Sequence, residues 1–246
     1  MRIGIIGFGS IGSFLADNLK KEVAWVVDAD PASQQRARKA GFLALSFAPQ
    51  GCGGVDLVVE AASQQAVPLL LSCLPFCDVM VMSVGAFADE TLLRKMKAAA
   101  ERYGRKIYLP SGAIGGMDAI SAVAGTAKSV LLETTKPPAS LGRKDCKRTV
   151  IFEGSAREAC RRYPKNVNVS ATLSIAGVGF GRTRVRIITD PEVKRNTHRI
   201  TVESAAGKMA FEFENVPSKE NPKTSALAAL SALSRIRKIK ETLQIG

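Results

Sequence analysis

Three sets of residues in this chain have the type and spacing to do chemistry. The first is Gly7-Phe8-Gly9-Ser10-Ile11-Gly12, a G-x-G-x-x-G run. The second is Asp28, a carboxylate about 20 residues beyond Gly7. The third is His198, the one histidine in 246 residues. In a glycine run of this kind Gly7 permits a tight turn and Gly9 lets the backbone approach a pyrophosphate. Gly12 lets a following helix pack close to the preceding strand. The N-terminus of that helix offers N–H groups to the anion. An acid at the distance of Asp28 suits the hydroxyls of an adenine-side ribose. The residues therefore point to a dinucleotide, NAD or NADP. The plainer reading is a tight turn, with Asp28 capping the next helix. His198 is the residue type that most often moves protons near neutral pH. A lone histidine is also commonly a packing residue, and both readings of His198 stand at this level.

These residues need elements to hold them. Arg2-Ile3-Gly4-Ile5-Ile6 is a short apolar run, right for a buried strand, and the glycines follow it at once. Ile11, Leu15 and Leu19 then fall four apart, as on a helix face. Val23–Val27 reads as the next strand and Asp28 ends it. Strand, glycines, helix, strand and acid in this register favour the dinucleotide reading over the plain turn. Pro31 to Ala40 reads as a helix, Phe42–Leu45 as a short strand, and Asp56–Glu60 as a buried strand ending at Ala61-Ala62. Gln64–Cys73 is expected to be helical. Asp78–Met82 is a further strand, Asp89–Arg102 a helix, and Lys106–Leu109 a strand. Strands alternating with helices imply a Rossmann-type, doubly wound parallel sheet over residues 1–110. Ligands of such sheets sit at the carboxyl ends of the strands. That rule gathers Gly7–Gly12, Asp28, Ala61, Ala62, Val84-Gly85 and Ser111-Gly112-Ala113.

The pattern changes after Pro110. Strand-like segments dominate, at Ser129–Thr135, Arg148–Glu153, Thr183–Thr189, His198–Ser204 and Met209–Asn215, with helices at Ala156–Arg162 and Val169–Ile175. Thr183-Arg184-Val185-Arg186-Ile187 alternates polar and apolar, so one face of its strand is wet. Residues 111–221 are thus expected to form a second, α+β domain on a mixed open sheet, carrying the substrate and the catalytic groups. A helix is expected from Asn221-Pro222 to about residue 246, packing back on the first domain. Its apolar stripe would be Leu227, Leu230, Leu233, Ile236 and Ile239.

Composition bounds the rest. The chain is 46% hydrophobic, yet no apolar run is long enough for a bilayer. It opens on a strand, not on a signal-type segment. The expectation is a soluble, cytoplasmic protein with no membrane partner. Five cysteines, one histidine and no C-x-x-C argue for free thiols and no metal. Net charge is +13, from 35 basic and 22 acidic residues. The basic residues are spread out and few aromatics accompany them. That distribution argues against nucleic acid, and for a field that draws in an anionic cofactor and substrate.

Longer motifs carry a resemblance. Pro110-Ser111-Gly112-Ala113-Ile114-Gly115-Gly116, Thr134-Thr135-Lys136-Pro137-Pro138, Tyr163-Pro164-Lys165-Asn166-Val167-Asn168-Val169, Gly177-Val178-Gly179-Phe180, Asn196-Thr197-His198 and the run from Glu214 to Ser225 occur in this order. Together the chain resembles the L-aspartate dehydrogenase family over its whole length. The resemblance implies NAD(P)-dependent oxidative deamination of L-aspartate, through iminoaspartate, to oxaloacetate and ammonia, with a link to NAD biosynthesis. It implies a dicarboxylate amino acid as substrate and a homodimer. It puts the catalytic histidine on His198 and nicotinamide-side contacts on Ala113 and Asn168. Plainer roles exist for both contacts: Asn168 as an N-cap ahead of Val169, Ala113 as close packing at a turn. The substrate's two carboxylates call for cations, and Lys136, Arg182, Arg184 and Arg195 are rival candidates. Two other classes fit the same layout, a dihydrodipicolinate reductase-like or homoserine dehydrogenase-like oxidoreductase and a dinucleotide-sensing binding module.

Overall fold

A computed structural model describes residues 1–48, 50–163, 168–218, 221 and 224–243. The chain divides into two compact units, Met1–Pro110 with Ala229–Ile245, and Ser111–Ala228.

The first unit alternates strand and helix. Its strands are β1 (Ile3–Ile6), β2 (Val23–Val27), β3 (Ala44–Leu45), β4 (Leu57–Glu60), β5 (Asp78–Val81) and β6 (Ile107–Tyr108). They form one sheet in the order β3-β2-β1-β4-β5-β6, and every pairing is parallel. The order reverses beside β1, which makes the carboxyl end of β1 the switch point where such sheets bind ligands. The helices are α1 (Ser10–Asn18), α2 (Pro31–Lys39) and α3 (Glu90–Tyr103). Asp30 and Asp89 cap α2 and α3 by accepting first-turn N–H groups. The helix expected at Gln64–Cys73 is a 3₁₀ helix over Gln64–Ser72. Pro68 inside it cannot donate a backbone hydrogen bond, which favours the tighter, irregular turn.

The second unit holds α4 (Met117–Val123), β7 (Ala127–Lys136), β8 (Thr149–Ser155), α5 (Ala156–Arg162), α6 (Asn168–Ala176), β9 (Thr183–Thr189), β10 (Asn196–Ser204) and β11 (Gly207–Asn215). Its sheet runs β11-β10-β7-β9-β8, with β7 and β9 parallel and the other pairs antiparallel. Helices α5 and α6 pack on β9. On β9, Thr183, Val185 and Ile187 are buried while Arg184 is exposed, the alternation its sequence shows. Arg186, half-exposed, spans the wet face to Glu133 and Glu153.

The final helix, α7, is Ala226–Lys240. The expected start at Asn221-Pro222 is not seen. Asn221 closes a turn with the Thr224 N–H, Pro222 lies outside the described residues, and Ser225 caps the helix by accepting the Leu227 N–H at 3.1 Å. The expected stripe holds in its second half and not in its first. Ala232, Leu233 and Ile236 join the core of the first unit with Ile3, Ile5 and Leu15. Leu227 and Leu230 stay 36% and 51% exposed. Ile239 packs against the same core, and the buried side of the helix is made of Ala229, Ala232, Leu233 and Ile236. Pro164 to Val167, Lys219, Glu220 and residues 244–246, which carry parts of the quoted motifs and of the expected helix, lie outside the described residues.

Candidate active site

The three glycines of the first turn differ in what they are for. Gly7 has φ +100°, and a Cβ there would lie 2.7 Å from the backbone of Ala61. A Cβ on Gly12 would collide with the Gly7 carbonyl. Both are therefore demanded by the protein's own packing. Gly9 is the N-cap of α1, and a Cβ there would meet no protein atom within 4 Å. Nothing inside the chain requires glycine at this position. A pyrophosphate approaching the helix N-terminus does. The cradle fits a dinucleotide on this observation.

Asp28 closes the same turn. Its carboxylate accepts the Phe8 N–H at 2.6 Å and the Asp30 N–H at 2.8 Å. A carboxylate has about four acceptor positions, so ribose hydroxyls still find a partner there. Phe8 is buried against Phe42 in an edge-on contact, which anchors the loop. Ser10 and Ile11 open α1, one residue earlier than the apolar pattern indicates, and both are half-buried. Arg36 donates to Ser33 Oγ at 2.7 Å and to the Phe8 carbonyl at 3.4 Å. Ala61 is half-buried and Ala62 exposed at the end of β4, directly against Gly7.

Beneath Ala62 is a residue that pattern reading missed. Glu60 ends β4 and is fully buried. It accepts the Ala62 N–H at 2.8 Å, the Ser83 N–H at 2.9 Å and the Ser83 hydroxyl at 2.8 Å. Burial pushes its carboxyl above the usual range, against the pull of the Ser83 and Ala62 hydrogen bonds. The group ties the ends of β4 and β5 together. The available signal was a pair of polar residues, Glu60 and Ser83, closing two neighbouring apolar strands.

In the second unit, His198 lies on β10 and pairs in register with Thr134 on β7. It is 6% exposed, and its Nδ1 is 3.0 Å from Thr134 Oγ1. Burial, and then the charge of Lys136, lower the imidazole pKa to about 4. The ring is therefore neutral at neutral pH, although its ordinary value would leave it poised near there. Lys136, last on β7, is 8% exposed, and burial holds its ammonium below the ordinary lysine range. Two of the other cation candidates are engaged elsewhere. Arg182 donates to the Ala127 carbonyl, Arg195 pairs with Glu214, and Arg184 is exposed.

Ala113 is held by its carbonyl, which accepts from Asn215 Nδ2 at 2.9 Å. Asn215 is buried at the end of β11, and its Oδ1 accepts from Ser225 Oγ at 2.8 Å. Asn215 is a second residue that pattern reading missed, because its partner is 102 residues away. Asn168 is exposed and is the first residue of α6, where the sequence pattern starts the helix at Val169. Of the five cysteines, Cys146 is exposed and the others are buried, all as free thiols. Among the described residues no His, Cys, Asp or Glu group is arranged to hold a metal ion. No helix among them is long and apolar enough to cross a membrane.

A parallel sheet with a dinucleotide cradle, joined to a mixed sheet that buries a histidine, defines a two-unit oxidoreductase dependent on a nicotinamide nucleotide. Residues 4–110 match the family described as homoserine dehydrogenase, NAD binding domain, and residues 118–239 the family described as aspartate dehydrogenase, C-terminal. Over the whole chain it is 43% identical to the L-aspartate dehydrogenase of Methanosarcina barkeri, covering 99% of that protein. It is 41% identical to the L-aspartate dehydrogenase of Archaeoglobus fulgidus, with both chains fully covered. The crystal structure of aspartate dehydrogenase from Thermotoga maritima superposes with a TM-score of 0.85 at 32% identity, covering 100% of this chain and 99% of that one. The chain belongs to the L-aspartate dehydrogenase family.

Proposed function

We propose that this protein oxidatively deaminates L-aspartate with NAD or NADP, giving iminoaspartate and then oxaloacetate and ammonia. Full-length identity to L-aspartate dehydrogenases supports the substrate. The observation that carries the mechanism is the chain's one histidine, buried, neutral and hydrogen-bonded to Thr134. Gly7, Phe8, Gly9, Ser10, Ile11 and Gly12 hold the pyrophosphate, Asp28 the adenine-side ribose, and Ala61 and Ala62 line the same turn. Ala113 and Asn168 contact the nicotinamide half.

Held by the glycine turn and by Ala113 and Asn168, a nicotinamide nucleotide would supply the hydride acceptor for the substrate Cα. The chain's own groups manage the protons. In the tautomer whose Nδ1–H donates to Thr134 Oγ1, Nε2 of His198 keeps a lone pair that can accept a proton. The amine must be neutral before hydride leaves, and water must lose a proton as it adds to the imine. His198 takes the proton from that water, or relays one from the amine. An imidazole held at about 4 is a weak base in the free protein. A substrate bringing two carboxylates stabilises the imidazolium, so its basicity rises in the complex where it is needed.

Iminoaspartate formed this way is a precursor for NAD biosynthesis, the process this reading assigns to the protein. A cytoplasmic homodimer completes the reading, and the free thiols fit a reducing compartment. The test is a panel of L-aspartate, L-homoserine, other amino acids and their oxo acids, each with NAD and NADP, followed at the reduced-nicotinamide absorbance. Turnover of L-aspartate above the rest is expected. Preference for L-homoserine, or no turnover with any, rejects the proposal.

A further inference from the structure

Taking a carboxylate out of water is costly, and hydrogen bonds must hold its charge there. Glu60, the last residue of β4, is fully buried and takes no part in the proton transfers described above. Its partners are backbone N–H groups and the Ser83 hydroxyl, so none of them brings a positive charge. Both carboxyl oxygens face donors. Oε1 accepts the Ala62 N–H and the Ser83 hydroxyl, and Oε2 accepts the Ser83 N–H. Bonds of this kind favour the ionised form. The position of that charge is the informative point. Ala62, whose N–H the carboxylate holds, is exposed, and the Ala61-Ala62 backbone lies 2.7 Å from a Cβ placed on Gly7. The carboxylate therefore backs the wall of the glycine turn. In the sheet, β4 flanks β1 on the side away from β2. With Asp28 at the end of β2 on the adenine-side ribose, the other half of the dinucleotide crosses the switch point toward β4 and β5. Glu60 joins the ends of those two strands.

We propose that the buried Glu60 carboxylate sets the balance between the two redox forms of the bound nucleotide, favouring the oxidised over the reduced nicotinamide. The proposal rests on the nicotinamide-nucleotide reading above. An oxidised nicotinamide ring carries a positive charge that the reduced ring lacks. A fixed negative charge in a dry wall attracts the first and is nearly indifferent to the second. Such a field retains the oxidant that deamination consumes and lets the reduced product leave. Glu60 acts across the Ala61-Ala62 turn without touching the nucleotide, so it is not a catalytic residue.

The experiment measures dissociation constants for the oxidised and reduced forms of NAD and NADP by calorimetry, with a thermal melt of each protein. It compares the parent with Glu60→Gln, Glu60→Met, Glu60→Asp and Ser83→Ala. Glu60→Gln keeps the shape and removes the charge. The ratio of the oxidised-form constant to the reduced-form constant should rise on the order of 10-fold. Glu60→Met, which sets no donor against the Ser83 N–H, repeats the reading should the Gln variant not fold. Glu60→Asp and Ser83→Ala loosen the same turn but keep the carboxylate, so they should weaken both forms alike and leave the ratio parental. A parental ratio in a folded Gln or Met variant overturns the proposal. A ratio shifted in Ser83→Ala also overturns it, because packing and not charge would then set the balance. That arm decides the matter even with both charge-free variants unfolded. Failure of the nicotinamide-nucleotide reading shows separately, as no binding of any of the four nucleotides by the parent.

Discussion

The two units build their candidate sites from different materials. In the first, backbone geometry does the work. Glycines at 7 and 12 create the turn, Gly9 leaves open space ahead of α1, and Asp28 pins the loop through the Phe8 N–H. In the second, buried polar side chains do it, with Thr134, Lys136 and His198 brought together by the pairing of β7 with β10. A backbone site tolerates change on its surface but not at the glycines. A side-chain site depends on charge, and so on pH. The expectations below follow from that difference.

The largest effect belongs to the second unit. His198→Ala should lower kcat by roughly 10²–10⁴-fold, the usual worth of a positioned acid/base. Dinucleotide affinity should remain near the parent's. Steady-state kinetics with fluorescence titration of the reduced cofactor checks both, and parental kcat would remove the histidine from the mechanism.

The next contrast lies inside the glycine turn. Gly9→Val should weaken dinucleotide binding on the order of 100-fold while the melting temperature moves little, because no protein atom stands in the way. Gly12→Ala should do the reverse. Its methyl group strikes the Gly7 carbonyl, and roughly 2–4 kcal/mol of stability should be lost. Thermal melts with cofactor titrations separate the two, and equal behaviour of both variants would break the assignment of separate roles.

This contrast also marks what could be read from residues alone. The parallel sheet was legible because its signals are local: an apolar run, a glycine spacing, a helix period, an acid a fixed distance on. The mixed second sheet was legible from alternation, as in Thr183–Ile187. The surroundings of His198 were not. Thr134 is 64 residues away, and no local pattern reports a β7–β10 register. The same holds for Glu60 with Ser83, 23 residues apart, and Asn215 with Ala113. Helix α7 was legible in part. Leu233, Ile236 and Ile239 of its apolar stripe face the core, but Leu227 and Leu230 stay exposed while Ala229 and Ala232 are buried.

Burial of His198 has a stability consequence. Its pKa falls from an ordinary 6.5 to about 4 on folding. The unfolded chain takes up a proton as pH drops below 6.5, while the folded protein resists until about 4. The contribution is therefore present above pH 6.5 and lost as pH falls toward 4, amounting to roughly 3 kcal/mol. Denaturant melts of parent and His198→Asn across this window measure it. The parent should lose more stability than the variant, and with no second histidine in the chain the difference belongs to this residue. Parallel curves would mean that the ring is hydrated.

The smallest effect concerns the choice between NAD and NADP in the first unit. Asp28 should repel a 2′-phosphate, which favours NAD. Its charge is partly spent on the Phe8 and Asp30 N–H groups. Arg36, donating to Ser33 and the Phe8 carbonyl, brings a cation to the same loop, whereas Arg38 is turned toward the Ala44 carbonyl and Gln34. Asp28→Ser removes the repulsion and leaves the cation, so the kcat/KM ratio of NADP to NAD should rise by about 10-fold. Adding Arg36→Ala should cancel most of that gain, and adding Arg38→Ala should not. A ratio that stays put in Asp28→Ser would take Asp28 off the ribose and leave it as the residue that pins the Phe8 loop.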